Sequence, residues 1–381
     1  MKKYYILICA VLMQLCLGAT YSWSVYVASL KSMTGLGQGP VQLPFSVFYF
    51  VFPLTMVVSG SILARRGPRF NAVLGGILFG SGWILAGFGK AGFSFTVSGI
   101  GLLAGVGAGL AYIVPISTCI QWFPKHKGAV TGIAVAGFGG GAAIVSQVAG
   151  FMMASLGKTP FEVFFVFGGL FLFLIPCAGL IMQPAPGEAA AGKEPLPLTQ
   201  FLSKPVFWML YFAMFAGLAA GFAVNANLKE LYTGTGIRAG ITAVSLFALA
   251  NAAGRIIWGF LFDRIRPRHA LRANLLCQAA LLFSSAMLLR SETGLLVFAV
   301  LAGFNYGGVL VLYASSAAGI WGNHRMAQVY GWLFSANIPA ALSPMLAGWG
   351  FDTLGSFILP FGIIGVVMIA ALVLIPSQVN G

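Results

Sequence analysis

Two copies of a short basic motif decide the fold of this chain. The first copy is Gly60-Ser-Ile-Leu-Ala-Arg-Arg-Gly-Pro-Arg69, and the second is Gly259-Phe-Leu-Phe-Asp-Arg-Ile-Arg-Pro-Arg268. The numbers of the leading glycines, 60 and 259, differ by 199, and the same offset relates Trp122 to Trp321. A recurring offset of this length indicates that the chain consists of two related halves.

Around the two copies, the sequence consists of apolar runs separated by short polar breaks. Of its residues, 59% are apolar and 7% are charged, and the mean hydropathy is +0.94. A soluble domain is roughly one-quarter charged, so this composition excludes a water-soluble globular protein. About 20 apolar residues cross the hydrocarbon core of a bilayer. We therefore predict twelve membrane-spanning helices, at residues 4–30, 44–64, 71–89, 93–121, 129–154, 163–182, 206–228, 241–262, 271–289, 293–319, 328–349 and 355–376.

The predicted fold is an all-α membrane protein made of two pseudo-symmetric six-helix bundles. The longest polar break, residues 183–205, is rich in proline and alanine, which is typical of a flexible linker. The predicted domains are therefore an N-terminal bundle at 1–182, a cytoplasmic linker at 183–205 and a C-terminal bundle at 206–381. Duplicated halves that share a site near the membrane midplane are the plan of secondary transporters.

The net charge of +14 is explained by membrane topology. Lys and Arg concentrate in the loops on the side of the termini, which predicts that both termini are cytoplasmic and that the chain lies in the inner membrane. The bilayer is then the expected partner, and nucleic acid is not. The cysteines and histidines lack the spacing of metal ligands, so we expect no metal and no cofactor. Because one chain supplies both bundles, we expect a monomer.

Arg255 differs from the loop cations because it falls inside a predicted span. It precedes Asp263 by eight residues, so it lies roughly 12 Å from the end of its helix. An intramembrane charge costs at least about 2.5–3.5 kcal/mol and usually serves a function. The duplicated position is Met56, so the symmetric scaffold does not require a charge there. Two interpretations stay open: Arg255 binds a small organic anion, or it is a structural residue that pairs with an acid or reaches the interface.

Three further local sequences, with the motif copies, resemble the Major Facilitator Superfamily, in its branch of monocarboxylate transporters and oxalate:formate antiporters. They are Tyr21-Ser22-Trp23, Gly109-Leu-Ala-Tyr112 and Gly254-Arg-Ile-Ile-Trp258-Gly259. The resemblance covers nearly the whole chain and implies the twelve-helix major facilitator fold. It places Arg255 at the substrate arginine of that branch. The implied protein is similar to a bacterial monocarboxylate (lactate) transporter, and the implied partners are a small monocarboxylate anion and a proton.

The chain also departs from that family in three places. Asn337 stands where the dicarboxylate antiporter has a lysine, and Asn251 stands where animal monocarboxylate transporters have an aspartate. Ala64 replaces the usual acidic residue of the first motif copy, whereas Asp263 keeps it in the second. The first departure favours a singly charged anion, and the second leaves the route of the proton open. The third predicts that only the second copy has an acidic group for the cytoplasmic gate.

Two groups of residues are the candidate functional residues. For substrate binding, phenol, amide and aromatic side chains could complete the contacts that Arg255 begins, although tyrosines also form interfacial belts. This group consists of Arg255, Tyr112, Tyr306, Asn251, Tyr330, Phe334, Asn225 and Tyr21. The gating group belongs to the motif loops and consists of Gly60, Arg65, Arg69, Asp263, Arg264 and Arg268.

The function that follows is transport of a lactate-like or pyruvate-like monocarboxylate by alternating access, coupled to a proton. Arginine itself cannot carry that proton, because it stays charged. Two other functions stay open: an anion exchanger of the oxalate:formate kind, and a receptor that binds a carboxylate without moving it. We expect no enzyme and no catalytic residue, because the spans contain no carboxylate pair, histidine cluster or activated serine.

Overall fold

The structure, a computed structural model, describes residues 2–187, 195–228, 231 and 237–375, and for residues 38, 39, 237–241 and 352 only the backbone. Part of the predicted linker, residues 188–194, lies outside the described residues. The helices are α1 (Lys2–Leu17), α2 (Ser24–Thr34), α3 (Gln38–Gly87), α4 (Phe93–Thr96), α5 (Gly105–Ala111), α6 (Ile113–Trp122), α7 (Lys127–Ser155), α8 (Pro160–Ile181), α9 (Thr199–Leu202), α10 (Pro205–Asn227), α11 (Ile237–Arg264), α12 (Pro267–Phe283), α13 (Ser285–Leu288), α14 (Glu292–Trp321), α15 (Met326–Phe334), α16 (Asn337–Ala340), α17 (Ser343–Leu354) and α18 (Ile358–Leu374).

Shorter helical segments complete the passes. Gly18–Ser22 is a 3₁₀ segment between α1 and α2, and Val97–Ala104 is a π-helical segment between α4 and α5. Both occur inside predicted spans, at residues 4–30 and 93–121. An apolar run therefore predicted that the chain crosses the membrane at these places, but it did not predict where the helical geometry changes.

Within the described residues, eight helical stretches are long and apolar enough to cross a membrane. Four features account for the difference from the twelve predicted spans. The range α3 joins two of them across a non-helical turn at Gly67, and α12 and α18 are each 17 residues long. The predicted span 328–349 is divided among α15, α16 and α17. The chain is thus an all-helical, multi-pass membrane protein.

The junction inside α3 depends on Gly67, within the first motif copy. Its backbone has φ 81° and ψ 169°, a conformation that side chains with a Cβ rarely adopt. Pro68 follows it and cannot donate a hydrogen bond to the preceding turn. The motif therefore ends one membrane pass and starts the next without a longer loop.

The chain divides into two compact units. Unit 1 consists of residues 1–124, 134–195 and 323–332, and unit 2 consists of residues 125–133, 196–322 and 333–381. Each unit is built mainly from one predicted half and includes one short segment of the other. The boundaries at 182 and 206 stay predictions.

Close contacts at glycine repeat within both units with the offset of 199. In unit 1, Gly331 leaves no room for a Cβ because the carbonyl oxygen of Met56 lies against it. In unit 2, Gly132 lies in the same way against the carbonyl oxygen of Arg255. Residues 56 and 255, and residues 132 and 331, are related by the sequence repeat. The duplication is therefore a duplication of helix packing as well as of sequence.

A second repeated contact involves the motif glycines themselves. Gly60 packs against the backbone of Ala327 and Gln328 in unit 1, and Gly259 packs against the backbone of Gly128 in unit 2. Residues 128 and 327 are again 199 apart. Small residues let helix backbones approach closely in a membrane, where lipid offers no hydrophobic drive for association.

Glycines also bring α11 and α14 of unit 2 into backbone contact. Gly303 lies against the carbonyl oxygen of Phe247, Gly307 against that of Asn251, and Gly254 against that of Phe304. No Cβ fits at these positions without a shift of the neighbouring backbone. The two helices consequently form one rigid pair that carries Arg255.

This packing predicts opposite effects for two glycine substitutions in α14. Gly303→Ala should lower the thermal melting temperature of the purified protein by several degrees, because overpacking typically costs about 1–3 kcal/mol. Gly319→Ala should leave it unchanged or raise it, because no atom lies within 4 Å of a Cβ there and alanine favours helices by about 1 kcal/mol. Differential scanning fluorimetry in detergent measures both, and equal effects would contradict the packing.

Candidate functional site

Arg255 lies in the stretch Thr242–Arg264 of α11, which is apolar and long enough to cross a membrane. The residue is 5% exposed, so its guanidinium is enclosed by the protein. Its Nε donates a hydrogen bond to Oδ1 of Asn251, 2.9 Å away. Asn251 is itself 8% exposed and lies four residues earlier on the same helix face. The contact fixes the plane of the guanidinium group.

The backbone of Arg255 is held from two directions within unit 2. Gly132 of α7 lies against its carbonyl oxygen, and Gly307 of α14 lies against its amide nitrogen. Trp258, one turn later, packs against Gly308 of α14. Three tightly packed helices therefore hold the arginine. Such packing gives a binding site the rigidity that it needs.

The other unit 2 candidates have different environments. Tyr306 of α14 is 8% exposed, and its ring packs edge-on against Phe222 and tilted against Phe247. Its ring also lies so close to Gly221 that no Cβ fits there. Phe334, at the end of α15, is buried. Asn225, near the end of α10, is exposed.

In unit 1, two candidate tyrosines share one aromatic neighbour. Phe138 of α7 makes edge-to-face contacts with Tyr21, at 5.0 Å between ring centres, and with Tyr112, at 5.4 Å. Tyr21 is 38% exposed and stacks on Tyr49, whereas Tyr112 is 1% exposed and packs against Phe52. Phe138 could not be identified from the sequence, because one phenylalanine among 33 carries no distinctive pattern.

A buried amide supports the same region of unit 1. Gln14 of α1 donates a hydrogen bond from Nε2 to the carbonyl oxygen of Tyr112, 3.2 Å away. Gln14 is fully buried, and so is Tyr330, the remaining tyrosine candidate of this unit. The sequence contained a signal for this contact, because Gln14 is a polar residue in the middle of the apolar run 4–30.

Asn337 has a structural role in the broken pass 326–354. Pro339 has no N–H to donate, and the amide nitrogen of Ile338 bonds Ser335 instead of the residue four positions earlier. The carbonyl oxygen of Phe334 therefore accepts a hydrogen bond from Asn337 Nδ2, 2.7 Å away. Asn337 is at the position that matches a lysine of the dicarboxylate antiporter. In this chain its side chain instead forms a hydrogen bond with a backbone carbonyl oxygen at a helix break.

Asp263 of the second motif copy caps the start of α7 within unit 2. Its two carboxylate oxygens accept hydrogen bonds from the backbone N–H groups of Gly128 and Ala129, each 2.8 Å away. The first N–H groups of a helix have no partner within it, and its positive end attracts an anion. The contact therefore ties α11 to α7 at the motif loop.

The corresponding contact in unit 1 has no acid. The residue related to Asp263 is Ala64, and the N–H groups related to those of Gly128 and Ala129 belong to Ala327 and Gln328. A methyl group cannot accept their hydrogen bonds. The repeated helix contact thus has the Asp263 carboxylate as a cap in unit 2, whereas the matching residue in unit 1 is Ala64.

The basic gating candidates lie around these contacts. Arg65 and Arg264 are exposed, and Arg268 is half-buried. Arg69 donates a hydrogen bond to Gln183 Oε1 at 3.4 Å, and Trp122 donates one to the carbonyl oxygen of the same glutamine at 2.8 Å. In the part of the chain that the structure describes, no group of three or more His, Cys, Asp or Glu side chains could hold a metal ion.

Comparisons with known proteins agree with this architecture. The sequence profile of the Major Facilitator Superfamily matches residues 6–337. The oxalate:formate antiporter of Oxalobacter formigenes is 25% identical over 90% of this chain and 82% of its own length. Monocarboxylate transporter 12-B of Danio rerio is 24% identical over 84% of this chain and 74% of its own length. The crystal structure of FucP in the outward conformation has a TM-score of 0.76 and covers 98% of both chains at 14% identity, which supports the fold.

The cap predicts a local change when its carboxylate is removed. Asp263→Ala should speed backbone hydrogen exchange at Gly128 and Ala129 by about 5- to 30-fold, because a lost cap costs about 1–2 kcal/mol. Hydrogen-exchange mass spectrometry of the peptide covering residues 125–133 measures this. Arg264→Ala, an exposed neighbour, should leave exchange unchanged. Unaltered exchange in the aspartate variant would exclude the cap.

Proposed function

Because the chain belongs to the Major Facilitator Superfamily, we propose that it transports a small monocarboxylate of the lactate or pyruvate class, together with a proton, across the cytoplasmic membrane. Membership of that family makes the chain a transporter rather than an enzyme. The proposal includes alternating access by a monomer. Its termini are placed in the cytoplasm because its loops follow the positive-inside pattern.

The observation that carries the proposal is the enclosed guanidinium of Arg255. Arginine keeps its charge at any physiological pH, and its planar group suits a carboxylate. Burying a charge within a membrane costs at least about 2.5–3.5 kcal/mol, and a bound anion offsets part of that cost. Asn251 accepts the hydrogen bond that Nε of Arg255 donates, so the guanidinium is oriented before the anion arrives.

A single negative charge on the substrate matches the single positive charge of Arg255. The amide of Asn251 is neutral, and the Asp263 carboxylate caps α7. A lysine that could match a second carboxylate is replaced by Asn337, whose amide bonds Phe334. The relative named as a monocarboxylate transporter supports this substrate class, and so does the formate in the name of the oxalate:formate antiporter.

The remaining candidates have supporting roles in the proposal. Tyr306 and Phe334 of unit 2 supply a phenol and an aromatic group, and substrate binding by Tyr112, Tyr21 and Tyr330 stays a prediction from the sequence. Asn225, exposed at the end of α10, offers an amide. Gly60, Arg65, Arg69, Asp263, Arg264 and Arg268 act in gating.

Anion exchange without a proton is the second candidate function, and Asn251 favours it. The side chain of Asn251, which accepts a hydrogen bond from Arg255, is an amide and does not titrate. A carboxylate there could carry a proton in each cycle, but an amide cannot. Under this second function, uptake requires an internal counter-anion. Under the first, an imposed pH step drives it.

Substitution of the arginine tests the binding role. Arg255→Gln should reduce uptake of labelled lactate or pyruvate into proteoliposomes at least about 100-fold, because losing a charged partner costs about 3 kcal/mol or more. Uptake is measured with a pH step and, separately, with internal unlabelled acid. Together the two conditions also distinguish symport from exchange.

The matched control is Arg290→Gln. Arg290 is exposed, and its Nε donates a hydrogen bond to the carbonyl oxygen of Ala286, four residues earlier. It should transport normally. Unchanged melting temperatures would show that both variants fold. Near-normal uptake by Arg255→Gln would refute the assignment.

Asn251→Asp tests the charge of the pair. An ionised aspartate four residues before Arg255 would pair with the guanidinium and compete with the substrate. Exchange of labelled for unlabelled acid at equal pH on both sides should fall about tenfold or more at high pH. It should recover as the pH falls, because protonation removes the competing charge. A pH-independent variant that exchanges at the normal rate would exclude anion binding beside Asn251.

A further inference from the structure

A cavity of about 430 Å³ lies within unit 2, among α10, α17 and α18. It is separate from Arg255, and the residues that line it belong only to these three helices. Pockets that bind small molecules typically have about 300–1,000 Å³. The cavity is therefore large enough for a ligand and has no part in the function proposed above.

Small residues on two helices create the cavity. Ala216 and Ala219 of α10 and Ala347 of α17 line it, and each is at most 5% exposed. Alanine side chains leave the space in front of them unfilled. Gly350 of α17 and Pro360 of α18 also line the cavity, and they pack so closely that no Cβ fits at Gly350.

The lining offers no charge and few polar atoms to a ligand. It includes no charged side chain. Its two hydroxyl groups are engaged within the protein: Ser343 donates to the carbonyl oxygen of Ala219 at 2.8 Å, and Thr353 donates to that of Trp349 at 3.0 Å. An organic anion would lose its hydration here without compensation, so the transported substrate does not fit this cavity.

The mouth of the cavity is lined by large apolar side chains that other protein atoms do not cover. Leu346 is 57% exposed, Trp349 is 67% exposed and Ile363 is 58% exposed. All three lie in the predicted membrane spans 328–349 and 355–376, where the surrounding medium is hydrocarbon. The molecules that reach this mouth are therefore lipids with acyl chains.

We propose that this cavity is a binding site for one acyl chain of a membrane phospholipid. The chain enters between Trp349 and Ile363 and lies against the three alanines, and the headgroup stays at the membrane interface. An acyl chain needs no hydrogen bond, and its burial fills space that α10, α17 and α18 leave open. The occupant packs α17, the last segment of the broken pass, against its neighbours.

A photoreactive phospholipid tests the proposal. The full-length protein is placed in nanodiscs that contain phosphatidylglycerol with a diazirine on one acyl chain, and labelled peptides are identified by mass spectrometry. Labelling should concentrate on the peptides of α17 and α18. Ala347→Phe, which fills the cavity, and Ile363→Trp, which narrows its mouth, should each lower this labelling at least fivefold.

The control is Val366→Phe on α18, because Val366 is 62% exposed and does not line the cavity. It should label like the wild type. Uniform labelling of all lipid-facing helices, or labelling that both cavity variants leave unchanged, would overturn the proposal. A fatty acid with the same diazirine serves as the second arm. If it labels α17 while the phospholipid does not, the phospholipid assignment is wrong. Melting temperatures identify any variant that fails to fold.

Discussion

Hydrocarbon cannot solvate the charge of Arg255, so the protein around it has to hold the guanidinium in place. Asn251 orients the group through a hydrogen bond of 2.9 Å. Gly132 and Gly307 let two further helices reach the backbone of the arginine. A larger residue at either glycine would push the helices apart and loosen the support. The close packing of α7, α11 and α14 thus holds the charged residue in place.

The two units share a scaffold but differ in chemistry. Both have the same glycine contacts, related by 199 residues, because close backbone approach is needed wherever these helices cross. The position of the charged Arg255 in unit 2 corresponds to Met56 in unit 1. The position of the acidic Asp263 in unit 2 corresponds to Ala64 in unit 1. Because the scaffold forms without these groups in unit 1, their presence in unit 2 supports functional roles.

Proline residues shape the last part of unit 2. Pro339 and Pro344 interrupt the pass that contains α15, α16 and α17, and side chains of Asn337 and Ser343 form the hydrogen bonds that hold the interrupted segments. Broken helices are tolerated in membranes only where such partners satisfy the backbone. The same interruption produces the separate helix α17, which forms one wall of the apolar cavity.

The sequence by itself determined the membrane passes, the duplication and the unusual position of Arg255. Crossing hydrocarbon imposes length and hydropathy on each segment, so these features are local and can be counted. Only the tertiary structure decided which distant groups meet. Asp263 contacts N–H groups 134 and 135 residues away, and Phe138 joins two tyrosines from other helices. Such contacts depend on how helices pack, and packing is set by shapes on several segments at once, which no single stretch of sequence contains.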